Sequence, residues 1–145
     1  MGFGVIRIEK GEITLLEAGL LDITATEDAL ALLQSRKHLE KLISKYNPEV
    51  LAIEKLYFAK NQKTALAVAH ARGVVLVTAK EHGLIIREYS PTEVKMNLAG
   101  YGQADKSSVL KMVRLMLHAP NLKVIDDASD AIAIAIVGSR EPMGR

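Results

Sequence analysis

Four carboxylates in this chain stand where residue type and spacing permit chemistry. Glu54 closes the apolar run Val50-Leu51-Ala52-Ile53, and Asp126, Asp127 and Asp130 open the alanine- and isoleucine-rich stretch 131–137. A buried strand ordinarily ends on an apolar or turn residue. One that ends on a glutamate delivers it to the carboxyl edge of the sheet, where ligands and chemistry sit in open α/β folds. The plain alternative is a surface glutamate just past the strand. The aspartates also have a plain explanation, because carboxylates in a first helical turn are favoured by the helix dipole and by unpaired N–H groups. Capping accounts for one or two of the three. Asp127 and Asp130 share a helical face, and so do Asp126 and Asp130, so spacing alone leaves that pairing open. Clustered carboxylates repel one another unless a hard cation lies between them, and oxygen-only ligands suit Mg²⁺ or Mn²⁺. Two such ions can hold the attacking water and the leaving oxygen of a phosphodiester in line. No cysteine set or histidine pair competes with this chemistry.

The elements that must position these groups follow from the apolar pattern. Gly4–Glu9 and Glu12–Ile23 read as two strands joined at Lys10-Gly11, an antiparallel hairpin. Thr26-Glu27-Asp28 reads as a helix start, and Ala29–Tyr46 carries apolar residues at Leu30, Leu33, Leu39, Leu42 and Ile43. Asn47-Pro48 stops it, and the strand ending at Glu54 follows, expected to be parallel and covered on both faces. Gln62–Glu81 reads as a helix packed on much of its circumference, with Gly73 inside it either for close approach or at a mere propensity cost. Leu84–Glu88 is a further strand. Ser90-Pro91-Thr92-Glu93 has the form of a capping box opening a helix to Leu98. Asp105–His118 is an amphipathic helix, and the last helix runs from about Asp127 to Val137. This order implies an α/β fold, a mixed β-sheet flanked by helices.

At 145 residues, 49% hydrophobic and 25% charged, the chain fits a single domain, 1–145, of ordinary globular composition. Its net charge of +2 permits an anionic partner without requiring one. The absence of cysteine excludes disulfides and thiolate metal sites. No apolar run reaches the length of a membrane span and the N-terminus lacks the pattern of a secretory signal, so the expected location is the cytoplasm.

Several segments together resemble one family. Ala52-Ile53-Glu54-Lys55-Leu56-Tyr57-Phe58-Ala59-Lys60-Asn61 resembles the second acidic motif of the RuvC Holliday-junction resolvases. Ala71-Arg72-Gly73-Val74, Tyr89-Ser90-Pro91-Thr92-Glu93-Val94-Lys95 and Gly100-Tyr101-Gly102-Gln103-Ala104-Asp105-Lys106 follow in the family's order. The stretch Asp127–Ala135 is similar to its terminal acidic helix. The resemblance spans nearly the whole chain. It implies a ribonuclease-H-like fold, a homodimer, and Mg²⁺-dependent symmetric nicking of four-way DNA junctions in partnership with the RuvA–RuvB branch-migration complex. By motif match Glu54, Asp127 and Asp130 become the metal-binding catalytic carboxylates, and Asp126 has no match. Tyr57 falls where the family places an aromatic that stacks on an unpaired base, a contact worth roughly 1–3 kcal/mol and insensitive to base identity. Lys95 and Lys106 match lysines near the scissile phosphate. A core tyrosine and solvated surface lysines are the plain readings of these three.

One departure is serious. The family begins with a strand ending in an Ile-Asp-Pro-Gly type motif, whereas Met1-Gly2-Phe3-Gly4-Val5-Ile6 corresponds to its second strand. The first strand and its aspartate have no counterpart here. A start misassigned downstream of the natural one, or an inactive remnant, accounts for this. The upstream genomic reading frame separates the two. The expectation for this chain is weak metal binding and little cleavage. The rival readings are another ribonuclease-H-like nuclease and a junction-binding protein that does not cut.

Overall fold

The computed structural model describes residues 1–55 and 62–143, and Tyr57 lies outside them. Its elements are β1 (Gly2–Glu9), β2 (Glu12–Leu20), α1 (Asp28–Tyr46), β3 (Val50–Glu54), α2 (Gln62–Glu81), β4 (Ile85–Tyr89), α3 (Pro91–Ala99), α4 (Lys106–Met116) and α5 (Asp126–Ser139). The chain divides into two compact units. One comprises Met1–Leu20, Ala52–Glu54 and the part from Arg87 on; the other lies within Leu21–Leu51 and Lys55–Ile86.

The first unit is built around α5. Its sequence after the acidic start is apolar on every side, and such a helix must be buried. Ile132, Ala133, Ile134, Ile136 and Val137 accordingly form the centre of a core completed by Tyr89, Leu98 and Val113, with Ile6, Ile13, Leu15 and Val109 packed against it. The β1–β2 hairpin lies on this helix. Its turn residues Lys10 and Gly11 both have positive φ (52° and 81°), the geometry that matches a two-residue turn to strand twist. The register slips between Val5 and Ile6, leaving Leu16 as the extra residue of β2. Two glycines set the approach of hairpin to helix. A Cβ on Gly2 would stand 2.2 Å from the Asp127 carbonyl oxygen, and one on Gly4 2.8 Å from Ile132 Cγ1. Any larger residue would drive β1 off the first turns of α5.

Capping fixes the helices that flank α5. Ser90 Oγ accepts the Glu93 N–H at 3.0 Å and opens α3, which Gly100 closes in the left-handed conformation. Asp105 Oδ1 accepts the Ser108 N–H at 2.8 Å and opens α4. Arg114 then donates through Nε and Nη2 to the Leu122 carbonyl, at 3.0 and 2.8 Å, pinning the connection that leads into α5.

The second unit pairs α1 with α2 over Ile43, Ala79 and Leu84, with Leu39, Leu51 and Ile86 packed beside them. α2 occupies the span expected from the sequence. Three expectations need correction. The strand expected to reach Ile23 stops at Leu20 because the next amides go to α1 side chains. The Asp22 N–H donates to His38 Nδ1 at 2.6 Å, and the Thr24 and Ala25 N–H groups donate to Gln34 Oε1 at 2.9 and 3.0 Å. α2 is packed on one side only. Leu66, Val68 and Val77 are exposed, as are Leu30 and Leu33 of α1. Gly73 opens onto free space, so close approach does not explain it.

The strands form two pairs, β1 with β2 and β3 with β4. Among the described residues no hydrogen-bonded ladder joins one pair to the other, so the expected mixed sheet takes the form of two short sheets.

Candidate nuclease site

Glu54 is the last residue of β3, and Ala52 places that strand against the final helix. A Cβ on Gly138 of α5 would lie 2.7 Å from Ala52 Cβ, an approach that only glycine permits. From there the Glu54 carboxyl comes within electrostatic reach of Asp130. Burial raises its pKa above the ordinary 4.5, and the negative charge of Asp130 raises it further. Two carboxylates from separate elements thus repel one another across the edge of the first unit.

Asp126 and Asp127 belong to the first turn of α5 and Asp130 follows in the next, and none of them is its N-cap. The N-cap is Ile125, which makes no side-chain cap bond. All three are exposed. Lys106, the first residue of α4, reaches them: its Nζ lies 3.8 Å from Asp126 Oδ2 and 3.6 Å from Asp130 Oδ2. The structure therefore brings Glu54, Asp130 and Lys106 together. Asp127 opens the same turn, with its backbone packed against Gly2. Lys95 lies half-buried on α3 and makes no ion pair among the described residues. The sequence reading set Asp126 aside, yet it is one of the two acids holding the lysine. The signal for it was present in its four-residue spacing from Asp130.

Oxygen donors of this kind suit a hard divalent cation. Among the described residues no three acidic or histidine side chains converge closely enough to hold one alone. A pair is nevertheless a recognised setting for Mg²⁺, which keeps several waters and takes one or two carboxylates together with substrate phosphate. Glu54 and Asp130 fit that description, and their mutual repulsion is what a cation would relieve.

Strands flanked by helices, with a carboxylate at a strand end facing carboxylates at a helix start, define the ribonuclease-H-like class. Comparison narrows this. The family model described as "Crossover junction endodeoxyribonuclease RuvC" matches residues 1–138. The chain is 46% identical over 137 residues to the RuvC of Roseiflexus sp., covering 94% of this chain and 82% of that protein. It is 40% identical over 147 residues to that of Ruminiclostridium cellulolyticum, covering 99% and 87%. Among solved structures, Thermus thermophilus RuvC superimposes with a TM-score of 0.86 at 31% identity, over 95% of this chain and 86% of the other. The same protein in complex with a Holliday-junction substrate gives 0.87 at 30% identity, over 95% and 85%. The chain belongs to the RuvC family.

Proposed function

We propose that this chain binds four-way DNA junctions and hydrolyses a phosphodiester in each of two opposed strands, as the names of its relatives imply. The observation that carries the reading is the approach of Glu54 to Asp130 beside a lysine, at the junction of a strand end and a helix start. Glu54 and Asp130, with Asp127 from the same turn, are the residues that would hold Mg²⁺, with Mn²⁺ as a substitute. A bound divalent ion lowers the pKa of water and neutralises charge on a phosphate. The protein's own part is to orient these oxygens, while Lys106 and Lys95 supply positive charge to the DNA backbone and Tyr57 a stacking surface for an unpaired base.

The exposed apolar face of α1 and α2 supports a homodimer. Leu32, Leu33, Ala69, Val74 and Val77 line an open groove there with Arg36 and His70 at its margin. Such a patch on a globular protein marks an interaction surface. Two-fold symmetry would then set one acidic site at each of two opposed strands. The partners that fit are junction DNA and the RuvA–RuvB branch-migration complex, in the cytoplasm. Among the described residues no helix is long and apolar enough to cross a membrane.

A second reading, a junction-binding protein that does not cut, is favoured by the lack of a three-carboxylate cluster among the described residues. One experiment covers both. A synthetic four-way junction and a linear duplex are titrated at equal salt in EDTA, and Mg²⁺ or Mn²⁺ is then added. We expect preferential junction binding and slow paired nicking that disappears in Glu54→Gln and Asp130→Asn. Preferential binding without nicks in either metal leaves the second reading. Equal affinity for junction and duplex overturns both.

A further inference from the structure

We propose that Asp126 is a positioning residue for Lys106: by sharing the ammonium with Asp130, it holds the lysine at the margin of the Glu54–Asp130 pair instead of letting it close onto Asp130. This rests on the reading of that pair as a divalent-cation site. Four observations on Asp126 and Lys106 support it.

Asp126 is the residue after the N-cap Ile125, which makes no side-chain cap bond, and its carboxylate pairs with Lys106. It also lies on the same helical face as Asp130, and that face is the one Lys106 meets. The two separations are nearly equal, 3.8 and 3.6 Å, and both exceed the 2.7–2.9 Å typical of an ammonium in direct hydrogen bond to one carboxylate. An ammonium so placed is held between two acids and committed to neither. Finally, Lys106 is the first residue of α4, where the positive end of the helix dipole disfavours a cation. The acids opening α5 offset that unfavourable placement.

The consequence concerns Asp130. With Asp126 present, the ammonium is drawn to one side, and Asp130 keeps oxygen lone pairs for a cation shared with Glu54. Without Asp126 the lysine has one carboxylate left and closes onto it, competing directly with the divalent ion. All three side chains are well exposed, with Lys106 at 70%, Asp126 at 84% and Asp130 at 61%, so the arrangement adds little to folding and can be altered without unfolding the chain.

The test uses the full chain as wild type, Asp126→Asn, Asp126→Glu, Lys106→Met and the Asp126→Asn/Lys106→Met double variant. The position of the lysine is read from side-chain amine NMR, with the Lys106 signal assigned by its loss in Lys106→Met. Mn²⁺ affinity is read from water-proton relaxation. We expect Asp126→Asn to shift the Lys106 signal and to weaken Mn²⁺ binding by about two- to fivefold, the range open to an exposed ion pair. Asp126→Glu should restore both. In the Lys106→Met background the Asp126→Asn substitution should leave the affinity of Lys106→Met unchanged, an interdependence that a purely structural role would not produce. An unchanged Lys106 signal in Asp126→Asn overturns the proposal. So does a loss of Mn²⁺ affinity that is equal with and without Lys106, since Asp126 would then act on the cation directly. Failure of the wild-type chain to bind Mn²⁺, with the Lys106 signal still answering to Asp126, overturns the cation site itself and with it the purpose assigned to the lysine's placement.

Discussion

Replacing Arg87 with alanine should destabilise the first unit severely, because this side chain fastens the end of α5 to β4. Arg87 is 9% exposed. Its Nη1 donates to the Gly138 carbonyl at 2.6 Å and the Glu141 carbonyl at 2.9 Å, and Nη2 donates to the Pro142 carbonyl at 2.8 Å. The Glu141 carboxylate adds an ion pair at 3.7 Å. Hydrogen bonds from a charged donor contribute about 1.5–3 kcal/mol each, and a buried acceptor left without a partner costs a similar amount. Gly138 is buried, so its carbonyl bears the full penalty, while the exposed Glu141 and Pro142 carbonyls turn to water. The expected loss is therefore about 3–5 kcal/mol, below the simple sum of three bonds. At roughly 2–4 °C per kcal/mol for a chain near this size, the midpoint should fall by about 6–20 °C. Urea unfolding followed by circular dichroism measures the loss, and hydrogen exchange at the amides of 136–140 should show the same region loosening first. Arg87→Lys keeps the charge but not the planar fork, and should recover less than half of the difference. A loss below about 1 kcal/mol for Arg87→Ala would refute the reasoning, since buried charged hydrogen bonds cannot be that cheap to remove.

Two further outcomes follow from the packing and charge of the same unit. Gly4→Ala sets a Cβ 2.8 Å from Ile132 Cγ1 and 3.1 Å from the Ile132 amide nitrogen, so β1 must retreat from α5. The expected cost is about 1–3 kcal/mol in urea unfolding, as for other overpacked sites, and a neutral effect would contradict the close packing of hairpin on helix. Glu54→Gln should stabilise the protein at neutral pH. The folded-state pKa of Glu54 lies above its ordinary 4.5, so folding favours the protonated form. Its contribution is most favourable below pH 4.5 and is lost as pH rises through the folded value. The melting-temperature gain of the variant should thus be present at pH 7 and shrink as pH falls towards 4.5. A gain that grows on acidification would contradict the assigned cause.

Much of the helical layout was legible because local signals and burial agree. α2 occupies the expected span, Ser90 caps α3 as its motif implies, and Lys10-Gly11 turns the hairpin. The candidate acidic site was legible through residue type at element ends, Glu54 closing an apolar strand and Asp130 in the opening turns of an apolar helix. What was hidden depends on partners distant in sequence. Leu20 ends β2 because His38 and Gln34 on α1 capture the following amides, and no pattern within 20–25 announces that. The exposed faces of α1 and α2 have helical periodicity regardless of what covers them, so the pattern marks an apolar stripe without saying where its cover comes from. Asp126 was set aside because family likeness spoke for Asp127, whereas its lysine partner comes from another helix.

The order of packing carries a consequence for synthesis. The hairpin is translated well before the helix it lies on, Asp126–Ser139, and the arginine clamp needs the carbonyls of Glu141 and Pro142. The apolar inner face of the hairpin must therefore wait, uncovered, while the residues between Leu20 and Asp126 are translated. The unit drawn from the middle of the chain can collapse meanwhile. A nascent chain of this kind would engage holding chaperones through this hairpin, and release from them would be timed by the arrival of α5.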